Sequence, residues 1–229
     1  MIRVVVTTPK THDEYTSSVF YRCLNKIIEN DSRVVLQIIS NNNTGLPKVY
    51  SDVIQKSEED IVTFIHDDLE IHDAFFVDKI IKAHESLDIV GLAGAQEQEY
   101  TDSKYPVWHL SAPRDKMCGF VSHSIKTDNS TYINSAYFGP TPNRTVVVDG
   151  VLMSFVVEKV KNKKIFDESF TFHFYDMSTC LNANAMGLKI GVWPIFVIHH
   201  GLGNFLDDPI WDRESKTFLS KFALDSYKI

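Results

Sequence analysis

Cysteine is scarce in this chain: Cys23, Cys118 and Cys180 are the only three in 229 residues, and their spacing fits no zinc or redox motif. An odd, sparse count excludes a disulfide-stapled scaffold and suits a reducing compartment. No apolar run approaches the roughly 20 residues of a membrane span. Met1-Ile2-Arg3 leads straight into Val4-Val5-Val6-Thr7, without the apolar core of a secretion signal. These absences predict a cytoplasmic protein with no membrane span. Positive charge is in the minority, with 23 Lys and Arg against 30 Asp and Glu and a formal net charge of −7. A basic stripe for phosphate-backbone binding is therefore missing, and nucleic acid is excluded as the first partner to consider. Internal repeats and low-complexity tracts are also missing.

What is present is an ordinary globular composition, 44% hydrophobic and 23% charged, in a chain long enough to bury about 70% of its unfolded surface. Short β-branched runs alternate with helical stripes. Strands are expected over 2–8, 34–39, 61–65 and 89–95, and helices over 13–30 and 47–57. A further helix, with Asp73 as its cap, carries the stripe Phe76, Ile80, Ala83 and Leu87. Residues 96–145 break the rhythm and predict hairpins and a long loop. The pattern resumes with a strand at 145–148 and an apolar run to Val157. Then come a helix from Phe174 that ends at Gly187, a strand over 189–198 and a helix over 209–222. Strands alternating with helices predict an α/β protein, mostly parallel, whose ligands bind beyond the carboxyl ends of the strands.

Three constellations carry chemistry. In Phe64-Ile65-His66-Asp67-Asp68-Leu69-Glu70 an apolar strand runs into a His and two carboxylates, ligands suited to a hard cation whose remaining positions a diphosphate can fill. The plainer reading is a polar turn that caps the next helix. In Phe172-His173-Phe174-Tyr175-Asp176 a carboxylate at a helix start follows an aromatic cluster, and shielding from water raises such a carboxylate toward a useful general base. Its plainer reading is an ordinary helix cap. In Val197-Ile198-His199-His200-Gly201-Leu202-Gly203-Asn204 two histidines end a buried strand beside glycines that let a backbone approach phosphate. Trp108, beside His109, offers a flat face that could stack on a sugar.

Taken in order, these segments resemble the family 2 type nucleotide-sugar glycosyltransferases with the GT-A fold, and more closely a short glycosyltransferase-like subfamily. The matched stretches are Val4 to Pro9, Gly45-Leu46-Pro47-Lys48-Val49-Tyr50, Val62 to Glu70, Val148-Asp149-Gly150-Val151-Leu152, Phe166 to Gly187 and Val197 to Gly203. The resemblance implies one GT-A-type three-layer α/β/α domain over residues 1–229, with a nucleotide-binding half at 1–95, an insert at 96–145 and an acceptor and catalytic half at 146–229. It puts Thr7, Thr8, Pro9, Asn41 and Asp67 beside the nucleotide. Asp68 falls on the second acid of the family's Asp-x-Asp motif, His66 replaces the first, and His199 or His200 completes the metal set. Asp176 falls at the position of the catalytic base, and Asp149, Gly150 and Trp108 border the donor or acceptor sugar.

The implied activity is a metal-dependent transfer, with Mn²⁺ or Mg²⁺, of sugar from a nucleotide-sugar donor to a glycan, glycolipid or small glycoside, inverting the anomeric carbon. A UDP-sugar is the first donor to consider, although Ser40-Asn41 stands where relatives carry an Asp that reads uracil. Two alternatives remain. One is a catalytically degenerate GT-A domain that binds sugar or nucleotide, which the His66 and Ser178 replacements keep open. The other is a nucleotidyltransferase, for which Thr7-Thr8-Pro9-Lys10-Thr11 lacks the expected Gly-rich loop.

Overall fold

The computed structural model describes residues 1–100, 105–128, 130–201, 208–223 and 226–229. The first half runs β1 (Ile2–Thr7), α1 (His12–Thr16), α2 (Val19–Ile28), β2 (Val34–Ile39), α3 (Leu46–Lys56), β3 (Ile61–His66), β4 (Leu69–Ile71), α4 (Phe76–Ala83), β5 (Ile89–Gly91), β6 (Ala93–Ala95) and β7 (Glu97–Glu99). The second runs α5 (Trp108–Ser111), β8 (Met117–Lys126), β9 (Thr131–Gly139), β10 (Asn143–Arg144), β11 (Val147–Val148), β12 (Leu152–Val156), α6 (Val157–Val160), α7 (Tyr175–Ala185), β13 (Ile190–Val192), β14 (Val197–His199), α8 (Pro209–Phe222) and β15 (Ser226–Lys228).

The central sheet has the strand order β10-β13-β5-β12-β3-β1-β2. β1 lies parallel to both neighbours, with Thr7 opposite Ile39 on one side and His66 on the other. Three strands therefore end on one line, and the loops that follow them open along the same edge. β12 runs antiparallel between β3 and β5, pairing Leu152 with Ile65. The sheet is thus mixed, parallel through β2-β1-β3 and antiparallel beside it. That reversal returns residues 149–151 to the edge where β3 ends, and the His66 N–H donates to the Val151 carbonyl.

Side-chain alternation along β3 separates the layers. Phe64 points to one face, where Tyr50 of α3 stacks on it at 3.7 Å and Tyr175 of α7 meets Tyr50 edge-on at 5.5 Å. Thr63 points to the other face, where it bonds Ser154 at 2.8 Å, and His84 at the end of α4 bonds Ser154 in turn. Helices therefore cover both faces. A second sheet, β11-β6-β8-β14-β4 with β9 paired to β8, stands beside the first.

Several boundaries differ from the periodicity. The helix expected over 13–30 is two, because Thr11 caps α1 with a reciprocal Glu14 bond and Ser18 caps α2 afresh. The strand expected over 89–95 divides at Leu92 between the two sheets. Asp73 does not cap α4 in the usual way; its carboxylate takes the Phe75 and Phe196 N–H groups and the Lys79 ammonium, tying α4 to the segment before β14. The irregular stretch contains the β8–β9 hairpin. Among the described residues no helix is long and apolar enough to cross a membrane.

Candidate active site

A cleft of about 1070 Å³ opens over the carboxyl ends of β1 and β3. One wall is the turn after β1. Thr8 is fully buried and its hydroxyl donates to Asp67 Oδ2 at 2.5 Å, while Lys10 Nζ reaches the same oxygen at 2.8 Å. Asp67 is thereby tied to the first strand. The Thr7 hydroxyl is out of contact with water and, among the described residues, has no hydrogen-bond partner. Thr7 and Pro9 both line the cleft. Asn41 sits in the left-handed region at φ 51°, where the chain turns, and its neighbours Asn42 and Asn43 line the cleft.

The second wall gathers His66, Asp68 and His199, whose ligand atoms all lie within 4.8 Å of one another. β14 runs antiparallel to β4 and parallel to β8, which puts His199 opposite Leu69 and beside His123. His199 Nε2 is 3.2 Å from Asp68 Oδ1. Burial raises the Asp68 pKa, but the hydrogen bond and positive charge of His199 outweigh it and leave the carboxyl lowered. Burial, then the His199 charge, lowers His66, which favours the neutral imidazole that a metal needs. Two imidazoles and one carboxylate suit a transition-metal ion better than Mg²⁺, which takes oxygen ligands, so of the two cations expected Mn²⁺ fits better. His200 does not join them. Adjacent residues at a strand end point to opposite sides, and His200 Nε2 lies 2.6 Å from Glu70 Oε1 with its ring edge-on to Phe20. Of the glycine loop beyond, only Gly201 lies within the described residues; Leu202, Gly203 and Asn204 fall outside them.

Between these walls sits Asp176, in the first turn of α7. Its carboxylate accepts from the Met177 and Gly150 N–H groups, each at 2.8 Å. Burial, reinforced by the charge of Asp149, pushes its pKa up to about 7. Phe174 starts the helix at φ 58°, a costly conformation for a bulky side chain. It is held there by packing against Phe218 at 5.1 Å. Tyr175 donates its hydroxyl proton to the Gly150 carbonyl at 2.8 Å and lies 2.9 Å from His66 Nε2. The one phenolic proton being used, His66 must donate from Nε2, which leaves Nδ1 with its lone pair. Gly150 has no room for a side chain, since a Cβ would stand 2.3 Å from the Tyr175 hydroxyl oxygen.

Trp108 lines the cleft but shows it little of its face. It is 3% exposed, packed by Phe138 at 4.8 Å, and its indole N–H donates to Asp149 Oδ2 at 3.1 Å. Its observed part is to orient Asp149. The exposed aromatic on the cleft wall is Phe172, 54% exposed and roughly parallel to the His66 ring at 6.0 Å. The fully buried Glu214 of α8 fixes that loop by accepting from the backbone N–H groups of Thr171, Phe172 and His173. His123, Phe172 and Glu214 escape sequence reading because strand and helix pairings distant in the chain bring them here; only the alternating aromatics of 170–174 give a local signal.

Residues 6–222 match the model of a family described as a glycosyltransferase like family. No curated protein sequence matches the chain. Among solved structures it is similar to GalNAc-T7 with UDP, GalNAc and Mn²⁺, at 12% identity and a TM-score of 0.53, over 95% of this chain and 48% of that one. This chain therefore spans about half the length of that protein, and at that identity the likeness shows the fold alone. Weaker similarity extends to A197 from STIV, at 10% identity and TM-score 0.47 over 88% of this chain and 86% of that one. S. aureus TarS 1-349 is similar at 14% identity and TM-score 0.46, over 87% and 60%.

Proposed function

The chain belongs to this glycosyltransferase-like family, and from that premise we propose that it transfers a sugar from a nucleotide-sugar donor, a UDP-sugar first, to a hydroxyl of a glycan, glycolipid or small glycoside. The observation that carries the reading is the place of Gly150. Its carbonyl accepts from the Tyr175 hydroxyl that fixes His66, and its N–H donates to Asp176. One residue thus links a cation-binding trio to a carboxylate with a pKa near neutrality.

A divalent cation held by His66, Asp68 and His199 would supply the positive charge that stabilises a departing nucleoside diphosphate. Asn42 and Asn43 offer hydrogen-bonding groups for the base and ribose. Thr8 and Lys10 hold Asp67 and keep that wall rigid. Phe172 presents a ring face to a sugar. Asp176 takes the proton of the acceptor hydroxyl as its oxygen bonds to the anomeric carbon. The bond from that carbon to the diphosphate oxygen breaks on the opposite side, its electron pair leaves with the diphosphate, and configuration inverts.

The reading is tested by thermal unfolding with nucleoside diphosphates and nucleotide sugars, each with and without Mn²⁺. A ligand at 100 times its Kd stabilises the fold by about 2.7 kcal/mol. The expected result is a shift with UDP that needs Mn²⁺; no shift with any nucleotide would overturn the donor assignment. Tyr175 has a separate expectation. Removing the hydroxyl in Tyr175→Phe leaves the His66 Nε2–H without its acceptor and should weaken Mn²⁺ binding by about 10–100-fold, read by calorimetric titration.

A further inference from the structure

The two faces of β4 and β14 carry different chemistry. On the cleft side lie Asp68 and His199; on the other, Glu70 is surrounded by three groups from separate elements. Cys23 on α2 points its Sγ at Glu70 Oε2 from 3.7 Å, and His72 Nε2 lies 2.9 Å from the same oxygen. His200 Nε2 lies 2.6 Å from Glu70 Oε1, out of contact with water and without the alignment of a hydrogen bond. Among the described residues no Lys or Arg forms an ion pair with Glu70; the polar side chains that meet its half-buried carboxylate are Cys23, His72 and His200.

We propose that Cys23, Glu70 and His72 form a second cation site, suited to Zn²⁺, with His200 supporting Glu70 from its second carboxylate oxygen. The ligand atoms of Cys23, Glu70 and His72 all lie within 4.8 Å of one another. Donors about 2.0–2.3 Å from a tetrahedral zinc lie about 3.3–3.8 Å apart, so the Cys23–Glu70 distance already fits and the His72–Glu70 pair opens by about half an ångström. A thiolate with imidazole and carboxylate selects zinc over Mg²⁺ or Ca²⁺, which take oxygen. Binding forms an Sγ–Zn bond and releases the thiol proton to solvent. His72, with its side chain 37% exposed, gives the ion its entry. The bound ion would tie α2 to β4 and to the end of β14, bracing from behind the backbone that carries Asp68 and His199. Sequence spacing conceals such a site, because its ligands sit on a helix, a strand and a loop that meet only in the fold.

The site stands apart from the transferase reading and is tested without turnover. Co²⁺ is titrated into the chelator-stripped full chain, and thiolate-to-cobalt charge transfer is followed in the near ultraviolet. With the cleft trio also able to take Co²⁺, up to two equivalents should bind, one of them producing that band, and Zn²⁺ should displace it. Cys23→Ser should abolish it, and His72→Gln should weaken Co²⁺ binding by about 10-fold or more. Asp68→Ala should leave the band in place, since the cleft trio holds no thiol. Absence of the band in the wild-type chain, its persistence in Cys23→Ser, or unchanged affinity in His72→Gln would overturn the site. Because His72 is exposed, its variant decides the matter even where Cys23→Ser fails to fold.

Discussion

Asp176→Asn is expected to lower kcat by about 10²–10⁴-fold, the range for loss of a general base, with little change in donor affinity. The amide has nearly the same shape and can still accept from one of the two N–H groups that hold the carboxylate, but it cannot take a proton. The wild-type kcat/KM should fall below about pH 7, where Asp176 becomes protonated. Asp149→Asn removes a negative charge that raises Asp176, so it should move that fall to lower pH. Stability carries the same signature with a definite sign. A folded-state pKa raised from 3.8 to about 7 means that the protonated form favours the fold. This stabilisation is fully present below the unfolded-state pKa and is lost as pH rises through about 7. Three pKa units correspond to about 4 kcal/mol as an upper bound. Thermal unfolding followed from about pH 4 to about pH 7 should therefore show a decline in the wild type that Asp176→Asn lacks. A variant whose activity loss merely tracks unfolding would reduce Asp176 to a structural residue.

Asp68→Ala is expected to weaken Mn²⁺-dependent nucleotide binding by about 100-fold or more, since even groups behind a ligand are worth 10–100-fold. The carboxylate is the one anionic member of the trio, and its loss also strips His199 of the partner 3.2 Å away. The two imidazoles that remain bring no negative charge to the cation. His199→Ala should act in the same direction. Calorimetric titration of UDP in the presence of Mn²⁺ reads both; unchanged affinity in Asp68→Ala would remove it from the metal site.

The features legible in the sequence are those that chemistry writes locally. A β-branched run ending in His66-Asp67-Asp68 fixes both the strand and the polar edge where it stops. The aromatic run before Asp176 announces a shielded carboxylate, and its raised pKa follows from that burial. Pairings between distant segments are what the sequence conceals. Whether His199 or His200 faces the cleft depends on how β14 lies against β4, and the place of His123 depends on β8 meeting β14. Trp108 is a flat aromatic in sequence, but the fold gives its polar edge to Asp149 and packs its ring against Phe138. Asn41 has the right chemistry to read a base, but that its neighbours Asn42 and Asn43 line the cleft is set by how the loop turns at its positive φ. Gly91 and Gly94 flank Leu92 and are the local sign of a break in the run, but which sheet each half joins is set by pairings distant in the chain.

The central claim is glycosyl transfer, and the most direct test is release of nucleoside diphosphate from a panel of nucleotide sugars incubated with the full chain and Mn²⁺. The expected result is UDP release from at least one UDP-sugar, abolished by chelation and lost in Asp176→Asn. Metal-dependent nucleotide binding with no release from any donor would contradict it and leave the chain a binding module.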